Sequence, residues 1–317
     1  MTINWQTTAF LFPGQGSQSV GMCKELAAAY PAAAETFEEA NAILGYDLKG
    51  LCFDGPEERL NDTLHTQPAM FVAGIAVLRA LNSHFDAPLK PQFTAGHSLG
   101  EFTALVAAGA LSFEDGLKLV HKRASLMKAA GEESPGAVAA LLGLEIDAVS
   151  EVCQAAQTAT GGIVVVANDN CPGQVVISGS ESALDKALEL AQERGAKRAV
   201  KLPVSVAVHS PLMESANADF AQAVNAANIA APTVPVIANV TAQPLTSAEA
   251  IRAELTSQLT GSVRWTSSIQ TMLAAGTENF IELGPGGVLK GLMKRIDRSA
   301  NSLSLENPED IRKVVEA

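Results

Sequence analysis

The sequence has few cysteines, and none stand at the spacing of metal ligands. Its 317 residues contain four scattered cysteines, Cys23, Cys52, Cys153 and Cys171, without a C-x-x-C pair. The five histidines form no cluster with them. We therefore expect a reduced, cytoplasmic protein that holds no structural metal.

Basic residues are scarce relative to acidic ones. Lysine and arginine number 22, aspartate and glutamate number 34, and the formal net charge is −12. A field of this sign repels phosphate, so we expect neither a nucleic-acid partner nor attraction to an anionic membrane. An acidic partner would have to find a local basic patch.

Long apolar runs are missing as well. No uninterrupted apolar stretch reaches the ~20 residues that span a bilayer, and the N-terminal segment has no basic leader. What remains is the composition of a globular enzyme, with 47% hydrophobic and 18% charged residues. The length suffices for one large domain, or for a main domain carrying a smaller one.

The order of elements predicts an α/β fold with an inserted unit. Residues 136–204 follow the order β-α-β-β-α-β, which is typical of a ferredoxin-like subdomain. On either side, short apolar strands at 9–12, 93–95, 234–240 and 279–283 alternate with amphipathic helices, which indicates a mostly parallel sheet. We expect a large α/β-hydrolase-like domain (1–134 and 205–317), a small subdomain (135–204) and a cleft between them.

The stretch Gly96-His97-Ser98-Leu99-Gly100 lies between a predicted strand and a predicted helix. The spacing G-x-S-x-G in this context predicts a nucleophile elbow, in which a serine sits on a sharp turn that tolerates only glycine nearby. The backbone N–H of Leu99 would then face an oxyanion. The alternative is a plain turn without chemistry.

A serine nucleophile needs a base, and His209 is favoured by elimination. It stands where a predicted strand gives way to a loop, whereas His97 adjoins the serine, His121 lies on a polar helix face, and nothing supports His65 or His84. A structural role capping the next helix is the alternative. In a hydrolase of this type an acid would follow a strand between Ser98 and His209, but the small subdomain largely fills that interval, so a backbone or amide carbonyl would orient the imidazole instead.

Arg123 falls on the apolar face of a predicted helix over 113–130. A buried guanidinium must be paired, and its planar fork suits a carboxylate. Two partners are open: an internal Asp or Glu, or the free carboxylate of an acidic acyl substrate.

Residues 12–18, FPGQGSQ, follow the first strand without the pattern of a phosphate-binding loop. They form either a plain turn or a loop that delivers a second N–H to the oxyanion.

Seven segments together resemble one enzyme family, malonyl-CoA:acyl carrier protein transacylase. They are FPGQGSQ, GHSLGEF, HKRASLM, ANDNCPGQVVISG, PVSVAVHSPLM, QLTGSVRW and IELGPGGVL. The resemblance implies that Ser98 becomes acylated, His209 acts as base and acid, and Arg123 grips the malonyl carboxylate. It also implies oxyanion donors on Gln15 and Leu99.

The resemblance implies further site residues and partners. The Gln258 carbonyl would orient the histidine, and His97, Asn168 and Asn170 would line the cleft. Malonyl-CoA would be the substrate and acyl carrier protein the acceptor, in a ping-pong reaction of fatty acid or polyketide synthesis. We expect no cofactor and a monomer.

Two features depart from the family pattern: Val208 directly before the histidine, and the middle of QLTGSVRW, which lacks an aromatic residue and a proline. Both concern acyl choice, so another acyl-CoA is an alternative substrate. A serine esterase or thioesterase, and a non-catalytic subunit that docks carriers, are the other interpretations. Carrier docking would use one of two basic clusters, which are Lys197, Arg198 and Lys201, or Lys290, Lys294, Arg295 and Arg298.

Overall fold

Two separate β-sheets organise the chain, whose residues 3–204 and 206–316 are described by a computed structural model. The strands are β1 (Thr8–Phe12), β2 (Phe93–Gly96), β3 (Ala137–Leu142), β4 (Val164–Cys171), β5 (Gln174–Gly179), β6 (Arg198–Lys201), β7 (Val236–Ile237), β8 (Pro244–Leu245), β9 (Asn279–Leu283) and β10 (Asn301–Leu305).

The helices lie between these strands. They are α1 (Lys24–Ala29), α2 (Pro31–Leu44), α3 (Leu48–Asp54), α4 (Glu57–Leu60), α5 (Thr63–Asn82), α6 (Gly100–Ala107), α7 (Phe113–Glu133), α8 (Ile146–Thr160), α9 (Glu181–Glu193), α10 (Glu214–Ala226), α11 (Ala248–Gln258), α12 (Trp265–Ala274), α13 (Val288–Ile296) and α14 (Pro308–Val315).

The larger sheet has the strand order β10-β9-β1-β2-β7-β8. The pairs from β10 through β7 are parallel, and only the pairing of β7 with β8 is antiparallel. All five residues of β1 are buried, as expected for a strand covered by helices on both faces. The predicted α/β class is confirmed.

Several element predictions needed correction. The predicted strand at 234–240 shortens to β7, because the N–H groups of Asn239 and Val240 turn to bond two glutamate side chains. Strands β8 and β10 were not predicted. Helix α7 continues past the predicted end at residue 130 to Glu133, and the Ala130 carbonyl accepts from the Ser134 N–H.

Helix α5 is long and apolar enough to cross a membrane by length and composition. Most of it is buried inside the fold, which is the burial of a core helix. It packs against α2, α6 and α7, and so carries its few polar side chains into the interior. Gln67 is one of them.

The smaller sheet is antiparallel, with the order β4-β5-β3-β6. Helices α8 and α9 bury one of its faces, where Ala139, Leu141 and Ile177 meet Val149 and Leu184. Alternation along the strands turns Val138 and Val176 to the opposite face, where Leu202 and Val208 pack against them. That second face borders the cleft between the two sheets.

Strand β4 is tied to the segment that follows α11. The Asp169 N–H donates to the Val263 carbonyl (2.9 Å), and the Val263 N–H donates to the Ala167 carbonyl (2.8 Å). The Thr266 hydroxyl also donates to the Asp169 carboxylate (2.9 Å). These bonds fix the end of β4 at the cleft.

Candidate active site

Ser98 joins β2 to α6, and its backbone lies in the left-handed region. Ser98 has φ of 51°, a conformation that L-residues other than glycine rarely adopt. A Cβ at Gly96 would lie 1.9 Å from the Gly100 backbone, and one at Gly100 would lie 2.1 Å from the Phe12 carbonyl oxygen. Both flanking glycines are therefore required by space, and the G-x-S-x-G segment forms the predicted turn between strand and helix.

Two side-chain amides hold this turn at its backbone. The Ser98 N–H donates to Asn239 Oδ1 (2.7 Å), and the Asn239 amide donates to the Gly96 carbonyl (2.7 Å). Gln258 Nε2 donates to the Ser98 carbonyl (3.0 Å). Both backbone groups of the strained residue are thus bonded to buried side chains, which offsets the cost of its φ.

His209 lies directly against the serine. The distance from Ser98 Oγ to His209 Nε2 is 2.7 Å. His209 Nδ1 donates to the carbonyls of Gln258 (2.9 Å) and Gly261 (3.0 Å). Because carbonyls only accept, Nδ1 carries the proton and Nε2 is free to accept from the serine hydroxyl.

The imidazole is held neutral by its surroundings. Burial, and then the positive charge of Arg123, together lower the pKa of His209 to about 3 from an ordinary 6.5. A neutral Nε2 is the form that can accept a proton from Ser98.

Arg123 is buried beside the serine without a carboxylate partner. Its side chain is 1% exposed; Nη1 donates to Gln67 Oε1 (2.9 Å) and Nη2 to Ser98 Oγ (3.1 Å). Across residues 3–204 and 206–316, no acidic side chain forms an ion pair with it, and its Nε has no hydrogen-bond partner. Burial lowers its pKa to about 10, so it stays charged at neutral pH.

These groups face a cavity of about 200 Å³. Gln15, Leu99, His97, Asn168 and Asn170 are among the residues that line it, and His97 Nε2 lies 2.8 Å from Asn170 Oδ1. Apolar side chains line the cavity as well, and they are Met127, Val138, Val176, Leu202, Val204 and Val208.

Two backbone N–H groups at the cavity are free to bind a ligand. Within the described part of the chain, neither the Gln15 N–H nor the Leu99 N–H donates to a protein acceptor. Leu99 directly precedes the first turn of α6, whose dipole also favours negative charge at this point. The arrangement can stabilise an oxyanion formed next to Ser98.

Four residues in contact with the site were missed at the sequence level: Gln67, Glu101, Asn239 and Gly261. Glu101 is fully buried, and its carboxylate accepts from the Asn239 N–H (3.0 Å) and from the Gln258 side chain. Burial, and then the neighbouring Glu254, raise the pKa of Glu101 well above its usual range. Only Asn239 gave a signal in the sequence. It follows β7, and because β7 runs parallel to β2, the end of β7 lies at the same sheet edge as Ser98.

The rate of Ser98 acylation, measured as kcat/KM, is expected to stay nearly constant on the acid side of its pH profile. With the His209 pKa at about 3, the base stays neutral as pH falls from about 8 to about 5, so kcat/KM for the acyl-CoA should not drop through pH 6.5. In Arg123→Ala the fall in kcat/KM should begin at a higher pH, because one cause of the lowered His209 pKa is removed. Steady-state kinetics across this range measure both; a half-loss near pH 6.5 in the unmodified protein would contradict the buried, neutral imidazole.

The structure describes no metal centre. Among residues 3–204 and 206–316, no group of three His, Cys, Asp or Glu side chains is arranged to hold a metal ion.

Comparison with known proteins gives the class. Residues 9–307 match the model of the acyl transferase domain family.

Individual relatives are more specific. Malonyl CoA-acyl carrier protein transacylase of Bacillus subtilis (strain 168) is 44% identical over 97% of this chain and 96% of its own length. The solved structure of the transacylase of that name from Coxiella burnetii matches with a TM-score of 0.94, at 44% identity, over 98% of this chain and 97% of that chain. A malonyl-transacylase solved in complex with its type II PKS acyl carrier protein matches with a TM-score of 0.94, at 40% identity, over 98% and 99% of the two chains. The chain belongs to the malonyl CoA-acyl carrier protein transacylase family.

Proposed function

We propose that the chain transfers a malonyl group from malonyl-CoA to the phosphopantetheine thiol of acyl carrier protein, with Ser98 as the acyl carrier on the enzyme. The observation that carries this proposal is the buried, charged guanidinium of Arg123, which lies 3.1 Å from the Ser98 hydroxyl and has no acidic partner among the described residues. A malonyl group supplies the missing carboxylate next to the thioester that the serine attacks.

In the first half-reaction, Ser98 Oγ attacks the thioester carbonyl while His209 Nε2 takes its proton. The carbon–sulfur bond then breaks, and His209 returns the proton to the coenzyme A thiolate. In the second half-reaction the carrier thiol gives its proton to His209 and attacks the malonyl-serine ester. The proton returns to Ser98 as malonyl-carrier leaves.

Each half-reaction passes through a tetrahedral oxyanion. The free N–H groups of Gln15 and Leu99 support a role as its donors. Loss of one such donor typically costs about 10²- to 10³-fold in rate. The carbonyls of Gln258 and Gly261 take the place of the acid in a Ser-His-Asp triad, since they fix the tautomer and orientation of His209.

The finer architecture is also a proposal. We assign residues 1–134 and 205–317 to an α/β-hydrolase-like domain and residues 135–204 to a ferredoxin-like subdomain. The separate hydrophobic core under the four-stranded sheet and its β-α-β-β-α-β order support the assignment. His97 and Asn168 would contact the substrate in the cleft. The protein would act in the cytoplasm.

One member of each predicted basic cluster lies close to the other, which supports carrier docking at this place. Arg198 on β6 pairs with Leu142, Leu142 pairs with Gln174, and the Gln174 side chain accepts from Arg295 Nη1 (2.7 Å). We call these two arginines, with their chain neighbours Lys197 and Lys294, the basic surface. An acidic carrier would be attracted to it despite the overall negative charge.

Reversing charge on the basic surface should weaken carrier binding selectively. We expect Arg198→Glu and Lys294→Glu each to raise KM for the carrier about tenfold, because a like charge then faces the acidic partner. Acylation of Ser98 by malonyl-CoA should be unchanged. Lys122→Glu, an exposed reversal on α7, is the matched control; equal KM values in all three variants would contradict docking here.

Hydrolysis is the competing activity, and product analysis separates it from transfer. Incubation with malonyl-CoA and a phosphopantetheine-bearing carrier should give malonyl-carrier and coenzyme A in equal amounts. In the absence of carrier, free malonate should form only slowly. Rapid release of malonate regardless of carrier would identify a thioesterase instead.

A further inference from the structure

Gln67 is a buried glutamine inside the apolar helix α5. It is 1% exposed and borders the same cavity as Ser98 and Arg123. Its Oε1 accepts from Arg123 Nη1 (2.9 Å), and its Nε2 lies 3.2 Å from the Met127 sulfur. The amide is thus oriented at both ends, with its acceptor directed at the guanidinium.

A neutral acceptor at this position has an electrostatic consequence. A hydrogen bond donated to an amide oxygen fixes the direction of the guanidinium but removes none of its charge. A carboxylate at the same place would form a buried ion pair and neutralise it.

The remaining contacts of Arg123 leave that charge available. Nη2 donates to the neutral Ser98 hydroxyl, and Nε has no partner. The nearby acid, Glu101, is engaged by the Asn239 N–H and the Gln258 side chain, and its raised pKa disfavours the charged form. Among the described residues, therefore, no carboxylate lies within ion-pair distance of this guanidinium, and Glu101 acts on it only through space.

We infer that Gln67 is a specificity-determining residue. Its neutral amide positions Arg123 by a hydrogen bond without neutralising the guanidinium, so the positive charge stays available to acyl groups that carry their own carboxylate. The inference rests on the proposed function, because it assumes that Arg123 receives the carboxylate of the acyl group. It adds the residue that decides whether acidic or neutral acyl groups are preferred.

The near-isosteric variant Gln67→Glu tests the charge. We expect kcat/KM for acylation of Ser98 by malonyl-CoA to fall about 10²-fold, since the new carboxylate occupies the guanidinium and repels the substrate carboxylate. Acylation by acetyl-CoA, which offers no carboxylate, should change by no more than a few-fold. The ratio of the two kcat/KM values is the readout, because a merely structural defect would lower both alike.

The variant Gln67→Met separates orientation from charge. It removes the acceptor and keeps the length of the side chain, so Nη1 loses its partner while the cation stays uncompensated. We expect KM for malonyl-CoA to rise about tenfold, the cost of one unmade buried hydrogen bond. The preference for malonyl over acetyl should decline less than in Gln67→Glu.

Gln92→Glu serves as the matched control, because this half-buried glutamine bonds Thr277 and the Ala275 carbonyl, away from the cavity. Its acyl preference should equal that of the unmodified protein, and thermal unfolding of all variants verifies folding. An unchanged malonyl-to-acetyl ratio in folded Gln67→Glu would overturn the inference.

Failure of the proposed function would look different. In that case the unmodified protein would show no preference for malonyl over acetyl, and Arg123→Ala would leave the ratio unaltered. If instead both behave as expected and only Gln67→Glu keeps its preference, the role of Gln67 alone is wrong.

Discussion

Ser98→Ala is expected to abolish malonyl transfer, with a loss of about 10⁴-fold or more in kcat. The strained turn presents one hydroxyl to the cavity at 2.7 Å from the base, and alanine offers no atom to acylate. Binding of malonyl-CoA should persist, because Arg123 and the cavity wall remain. Transfer assays with excess carrier, together with equilibrium binding of malonyl-CoA, measure the two effects separately.

Ser178→Ala is a suitable control, since this serine is fully buried in the smaller sheet and lies outside the cavity lining. Its transfer rate should match that of the unmodified protein. If Ser98→Ala still carried out transfer at an undiminished rate, the elbow would not be the site of chemistry.

Arg123→Ala should have the second largest effect and should depend on the acyl group. We expect kcat/KM for malonyl-CoA to fall about 10³-fold, because the substrate carboxylate loses a buried, charge-assisted partner. Acetyl-CoA should lose far less, since it shares only the bond from Nη2 to the Ser98 hydroxyl. Competition between the two acyl-CoA substrates for Ser98 gives the ratio directly.

Arg123→Lys tests whether the planar fork matters in addition to the charge. A lysine keeps the cation but cannot bond Gln67, Ser98 and a carboxylate in one plane, so only part of the malonyl preference should return. Equal losses of malonyl and acetyl transfer in Arg123→Ala would contradict a carboxylate contact.

The parts of this site set by local pattern were readable from the sequence. The G-x-S-x-G spacing between a strand and a helix predicted the turn at Ser98, and helical periodicity placed Arg123 on the inner face of α7. That Arg123 has no internal ion-pair partner among the described residues could be seen only in coordinates, because a partner distant in sequence leaves no periodic signal. His209 came from elimination and from resemblance rather than from any local pattern.

The supporting contacts could not be predicted, because they join distant segments. Gln258 bonds the Ser98 carbonyl across 160 positions, and Asn239 bonds the Ser98 N–H across 141. The edge strands β8 and β10 depend on neighbours in the same way: β8 has only two residues, and β10 alternates serine and leucine. Tertiary pairing decides such segments more than their own propensity.

Malonyl-CoA should acylate Ser98 without any carrier present, with its carboxylate held by the Arg123 guanidinium. The most direct measurement is intact-mass and peptide analysis after rapid mixing with malonyl-CoA in the absence of carrier. We predict one malonyl group per chain, located on the peptide that contains Ser98, one equivalent of coenzyme A released, and loss of the adduct when carrier is added. An adduct on another residue, or release of coenzyme A only after carrier addition, would contradict the account.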